Sequence, residues 1–60
     1  MDYIKFYNIS SDKVEYYMSR GLPEKDAIRE VLASKKVYYQ PDEFKIRKFK
    51  YTYRVYILKK

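Results

Sequence analysis

Five cations, Lys45, Arg47, Lys48, Lys50 and Arg54, fall within ten residues, and Phe49, Tyr51, Tyr53 and Tyr56 are interleaved with them. These residue types suit one kind of chemistry. Cations replace the counterions of a phosphate backbone, and planar rings offer faces or edges to bases and sugars. If the segment is an extended strand, Lys48, Lys50, Thr52, Arg54 and Tyr56 share a face and form a basic stripe that ends in an aromatic. The competing reading is a solvated strand, because Lys and Thr also serve as the wet face of an amphipathic sheet, where Lys discourages edge pairing. The alternate series Phe49, Tyr51, Tyr53, Val55 and Ile57 reads as core.

Bond-making chemistry has little to work with. The chain has no His and no Cys, which excludes a His-based triad, a thiol nucleophile, a His or Cys metal site and a disulfide framework. Ser10, Ser11, Ser19 and Ser34 therefore lack an imidazole to activate them. The acids that fall close together, Asp12 with Glu15 and Asp42 with Glu43, are accounted for by a helix start and a turn. A single Gly excludes a glycine-rich phosphate loop. We expect no enzyme, no catalytic residue, no cofactor and no metal.

The net charge of +6 over 60 residues is unevenly placed. Residues 1–34 hold five basic and six acidic side chains, whereas residues 35–60 hold nine basic side chains against Asp42 and Glu43. The excess thus belongs to the second half, the half that carries the interleaved cations and rings.

The elements that would position these residues can be read from pattern. Residues 3–9 alternate as a strand, with Ile4 and Phe6 on one face and Tyr3, Lys5 and Tyr7 on the other. Ser10, Ser11 and Asp12 are helix-capping residues, and Asp12 as the cap puts Glu15 at the third helical position, where it suits the start. Val14, Tyr17 and Met18 form the apolar stripe of this first helix. Gly21, the sole glycine, stands where a left-handed residue ends a helix. Pro23 and the acids after it start a second helix with an Ala27, Ile28, Val31 and Leu32 face, closed by Lys35 and Lys36. Residues 11–35 therefore read as an αα-hairpin and residues 37–58 as a β segment. Within the latter, Val37, Tyr38 and Tyr39 are strand-like, and Gln40-Pro41-Asp42-Glu43 fits a type I turn. Phe44 and Ile46 are apolar on even numbers, but the following series is apolar on odd numbers. A slip of one residue exchanges the faces of a strand, so Arg47-Lys48 must absorb it. Lacking the Gly or Asn of tight hairpin turns, this dipeptide favours a bulge in one long bent strand, with a break into two strands as the alternative. Adjacent tyrosines diverge, so Tyr16 and one of Tyr38 and Tyr39 should be exposed.

Two partial likenesses follow. The two helices joined at Gly21, with residues 37–57 as a wing, resemble a minimal winged-helix domain of the excisionase and repressor kind. That likeness implies Pro23–Ser34 as a groove-reading helix. Glu24, Asp26 and Glu30 on it would repel phosphate, and Arg20 and Glu30 fall where such units bury apolar residues. The stretch from Gly21-Leu22 to Ala27-Ile28 and on to Leu32 is similar to the turn of ubiquitin-associated domains. It covers about a dozen residues, and strands follow where those domains place a third helix. We carry only turn geometry from it.

A chain of this length forms one domain at most and buries only about 60% of the surface its unfolded form exposes. No stretch approaches the ~20 apolar residues of a membrane span. Met1 to Lys5 lacks a signal-peptide layout, which makes an intracellular, cytoplasmic location (the host cell's, if the source is viral) the expectation. The expected fold is a small α+β domain of order β-α-α-β-β. It has an antiparallel sheet of about three strands with the αα-hairpin packed on one face. The expected function is that of a basic nucleic-acid-binding protein, of the accessory or regulatory type common in viruses, plasmids and archaea. Lys45, Arg47, Lys48, Lys50 and Arg54 would contact phosphates, with Tyr56 near bases or sugars, and DNA ranks ahead of RNA as the partner. The alternative is a protein-binding module, an inhibitor or adaptor that docks on an acidic surface or a sheet edge. Surplus aromatic residues also admit a homodimer.

Overall fold

Residues 3–59 are described by the computed structural model; Asp2 and Lys60, counted in the charge, lie outside them. The chain runs β1 (Tyr3–Ser10), α1 (Ser11–Ser19), α2 (Glu24–Ala33), a short 3-10 turn (Pro41–Glu43), β2 (Phe44–Lys48) and β3 (Thr52–Leu58). The strands form one antiparallel sheet in the order β1-β3-β2. The helices cover one face of it, as the α+β reading expected.

Each helix owes its place to its apolar stripe. Val14 on α1 and Ala27, Ile28, Val31 and Leu32 on α2 are buried. They pack with Ile9 of β1, Phe44 of β2 and Tyr53, Val55 and Ile57 of β3. Among the described residues no charged or polar residue is buried in the core.

The turn between the helices is set by Gly21, whose φ is 103°. The Gly21 amide donates to the Met18 carbonyl at 3.0 Å, and the Leu22 amide donates to the Tyr17 carbonyl at 3.2 Å. This pair of bonds satisfies the carbonyls at the end of α1, and Leu22 and Tyr17 both pack on the core beside it.

Three expectations are corrected. First, α1 begins at Ser11, and Ser10 takes the cap position with no side-chain cap bond. The Ser11 amide instead donates to the Tyr51 carbonyl at 3.1 Å, a partner 40 residues away that replaces the local cap assigned to Asp12. Second, Val37, Tyr38 and Tyr39 form no strand. The Val37 amide is taken by the Leu32 carbonyl at the end of α2. Val37 and Tyr39 then pack on the core, and Tyr38 is exposed. Third, the parity change is a hairpin, and the bent single strand is not observed. Lys48 pairs with Tyr53, and the Phe49 amide donates to the Thr52 carbonyl at 2.8 Å, which leaves Lys50 and Tyr51 as the loop. In this register an inward even position on β2 faces an inward odd position on β3, as Phe44 faces Ile57 and Ile46 faces Val55. Among the described residues Lys36 is the one non-glycine with positive φ, so the loop avoids the left-handed conformations that demand Gly or Asn.

Candidate nucleic-acid interface

The pleat of β3 separates two surfaces. Tyr53, Val55 and Ile57 face the helices; Thr52, Arg54, Tyr56 and Leu58 therefore face away from them. Strand pairing extends this outer surface into rows. Tyr56 lies between Phe6 on β1 and Lys45 on β2, and Arg54 lies between Asn8 on β1 and Arg47 on β2. Among the described residues no strand contains an acidic side chain.

Arg54 is the centre of this face. Its Nε donates to Asn8 Oδ1 at 3.2 Å, and its guanidinium carbon stands 4.9 Å from the Phe6 ring centre and 5.1 Å from that of Phe49. The Arg47 guanidinium is 5.5 Å from the same Phe49 ring. Like charges directly opposite on a sheet repel. Here the negative ring face of Phe49 lies within reach of both guanidinium groups and relieves part of that cost. Ion pairs among the described residues are Arg29–Glu30 and Lys48–Glu24, so neither arginine of the row has an acidic partner among them.

At the other end of the face, Tyr56 makes edge or tilted contacts with Tyr3 (4.8 Å) and Phe6 (5.8 Å), and Tyr3 meets Phe6 at 6.2 Å. A β-bulge between Tyr3 and Lys5 brings the Tyr3 ring to this side.

The six residues singled out from the sequence are thus divided. Lys45, Arg47 and Arg54 share the outer face, and Lys50 stands in the hairpin loop with its Nζ 5.2 Å from the Tyr51 ring. Tyr56 is on the face but only 7% exposed, because Tyr3 and Phe6 cover it; it supports the surface and leaves no free ring. Lys48 faces the other way. Its inward register brings it 5.6 Å from the Tyr53 ring and 2.6 Å from a Glu24 carboxylate oxygen. The hydrogen bond to that carboxylate raises the Lys48 pKa above 10.5. The stripe expected from one continuous strand is therefore broken by the hairpin, which turns Lys48 from it and adds Arg47 and Lys45.

The rings that are free are ones the sequence pattern placed elsewhere. Phe6 is 43%, Phe49 41% and Tyr51 72% exposed. Phe49 and Tyr51 continue the odd-numbered apolar series, but the hairpin ends the strand before they reach the core. The acids of α1 and α2 belong to the opposite layer, and no three acidic side chains gather as metal ligands among the described residues. A depression of about 330 Å³ between the helices is lined by Asp12, Lys13, Tyr16 and Tyr17 and brings together no reactive pair.

No protein-family model, no curated protein and no solved structure matches the chain.

Proposed function

We propose that the open face of the sheet binds nucleic acid, with Lys45, Arg47, Lys50 and Arg54 as phosphate contacts. The observation that carries this reading is the Arg54–Arg47 row. Two guanidinium groups are held opposite each other on the adjacent strands β2 and β3, in a sheet whose three described strands contain no acid. A bound phosphate would act as their shared counterion and remove a repulsion that the free protein bears. Lys48, committed to Glu24, is not part of the proposed contact set.

Fluorescence anisotropy with labelled oligonucleotides tests the reading. Each neutralised phosphate contributes about −0.7 (single strand) to −0.9 (duplex) to the slope of log affinity against log salt. Four contacts predict a total slope of roughly −3. Changing Lys45 and Lys50 together to Glu should weaken binding and flatten the slope. Changing Lys13 and Lys25 to Glu on the helical layer should leave both unchanged. No binding to any strand at about 20 mM salt, where screening is weak, overturns the reading.

The edge of β1 favours a second reading. Its eight residues carry a single charge, Lys5, and Ile4 is exposed there, whereas β2 is guarded by Lys45, Arg47 and Lys48. An edge with so little charge accepts an added strand from a protein partner or a second copy. Sedimentation of the protein alone separates self-pairing from monomer, and Ile4→Lys should abolish any such pairing.

A further inference from the structure

We infer that the ligand of this face is an unpaired single strand, bound with little preference for sequence; this rests on the reading of the face as a nucleic-acid surface. Arg54 on the central strand has Phe6 on one side, from β1, and Phe49 on the other, at the end of β2, each ring centre about 5 Å from its guanidinium carbon. Ring, cation, ring is the order in which an open strand presents base, phosphate, base. Tyr51 adds a third exposed ring at the hairpin tip, next to Lys50.

An undistorted duplex offers these rings no stacking partner, and opening one costs unstacking energy at each step. Its bases are already stacked on each other, and its outer surface is phosphate and sugar, so Phe6, Phe49 and Tyr51 would meet charge without a stacking partner. An unpaired strand can turn its bases onto them, and every base has a π-face to offer. The tip is also held before any ligand arrives. The Phe49 amide bonds the Thr52 carbonyl at 2.8 Å, and the Tyr51 carbonyl accepts from the Ser11 amide at 3.1 Å, which lowers the ordering cost of binding. Sequence reading needs donors and acceptors aimed at base edges. The one amide side chain on the face, Asn8, already gives its carbonyl oxygen to Arg54.

Anisotropy with oligonucleotides of about fifteen nucleotides, a length that fills a small sheet surface, decides the point. Homopolymers of T, A and C should bind within a few-fold of one another and about tenfold or more tighter than a duplex of equal length. Tyr51→Ser and Phe49→Leu should each weaken single-strand binding roughly 5- to 150-fold, the span of one lost base–ring stack, and Tyr51→Ser, at the hairpin tip, should change duplex binding far less. Thermal melts of both variants report that the fold is kept, and Tyr51, which is largely exposed, serves if Phe49→Leu does not fold. Equal or tighter duplex binding, or single-strand affinity unmoved by Tyr51→Ser, overturns this inference while the phosphate-binding reading stands. Absence of binding to either form at low salt overturns both.

Discussion

Two residues among those described have positive φ, Gly21 at 103° and Lys36 at 63°, and each ends a helix in the same way. After α2, the Lys36 amide bonds the Ala33 carbonyl at 2.9 Å and the Val37 amide bonds the Leu32 carbonyl at 3.0 Å, repeating the pattern at Gly21. A left-handed L-residue costs about 1–2 kcal/mol, so the two positions should respond oppositely to exchange. Lys36→Gly should stabilise by about 0.5–1 kcal/mol after the added freedom of the unfolded glycine is deducted. Gly21→Ala should destabilise by about 1 kcal/mol. No atom lies within 4 Å of the added methyl, so that cost is purely one of backbone conformation. Urea unfolding of the two variants checks both signs. Only one of these ends was legible in advance. Gly21 announces its conformation by its type, but Lys36 takes it because Val37 is anchored in the core, and that anchor is visible only in three dimensions.

At the scale of elements, the even-to-odd change in apolar parity between Ile46 and Tyr53 was readable, but not its mechanism. Parity demands that the chain slip by one residue. A bulge and a two-residue loop both satisfy this, and the absence of Gly and Asn favoured the wrong one. The hairpin forms because β3 must pair on both sides, with β1 and with β2, and a loop without left-handed residues serves that pairing. One consequence is the Lys48–Glu24 pair, which ties the end of β2 to the first turn of α2. The folded-state pKa of Lys48 is raised above 10.5 by that carboxylate. A raised pKa means that the contribution of the pair is fully present below the unfolded value and is lost as pH rises through the folded one. Glu24→Gln should therefore lower the melting temperature by a small and constant amount across about pH 7–9, with the gap from the parent closing only above pH 10.5. A gap that closes within the neutral range would assign the effect to another group.

The whole molecule is a two-sided body with a Cα radius of gyration of 10.7 Å, close to the ~10.4 Å expected for a compact chain of this length. Such a chain has a total stability on the order of 3–9 kcal/mol. Leu32, fully buried at the centre of the core, should cost about 2–5 kcal/mol when cut to Ala. Calorimetry should then show most of the cooperative transition lost, whereas Tyr38→Ala at the exposed surface should leave it intact. The division of charge between the halves of the sequence foreshadows the division between layers, because helices dominate the first half and two of the three strands lie in the second. The contribution of β1 to the face was not legible, since Phe6 and Asn8 join Arg54 only through pairing across 46 residues or more. One feature of the sheet also bears on how the protein is made. The strand that both others require, β3, is the last of the three along the chain. At about 5–20 residues per second, roughly 2–10 seconds separate the synthesis of β1 from that of β3, its only partner among the described residues. Neither β1 nor β2 has another partner among them, so no part of the sheet can form before residues 52–58 are made, and a chain ended before residue 52 should show no sheet signal by circular dichroism.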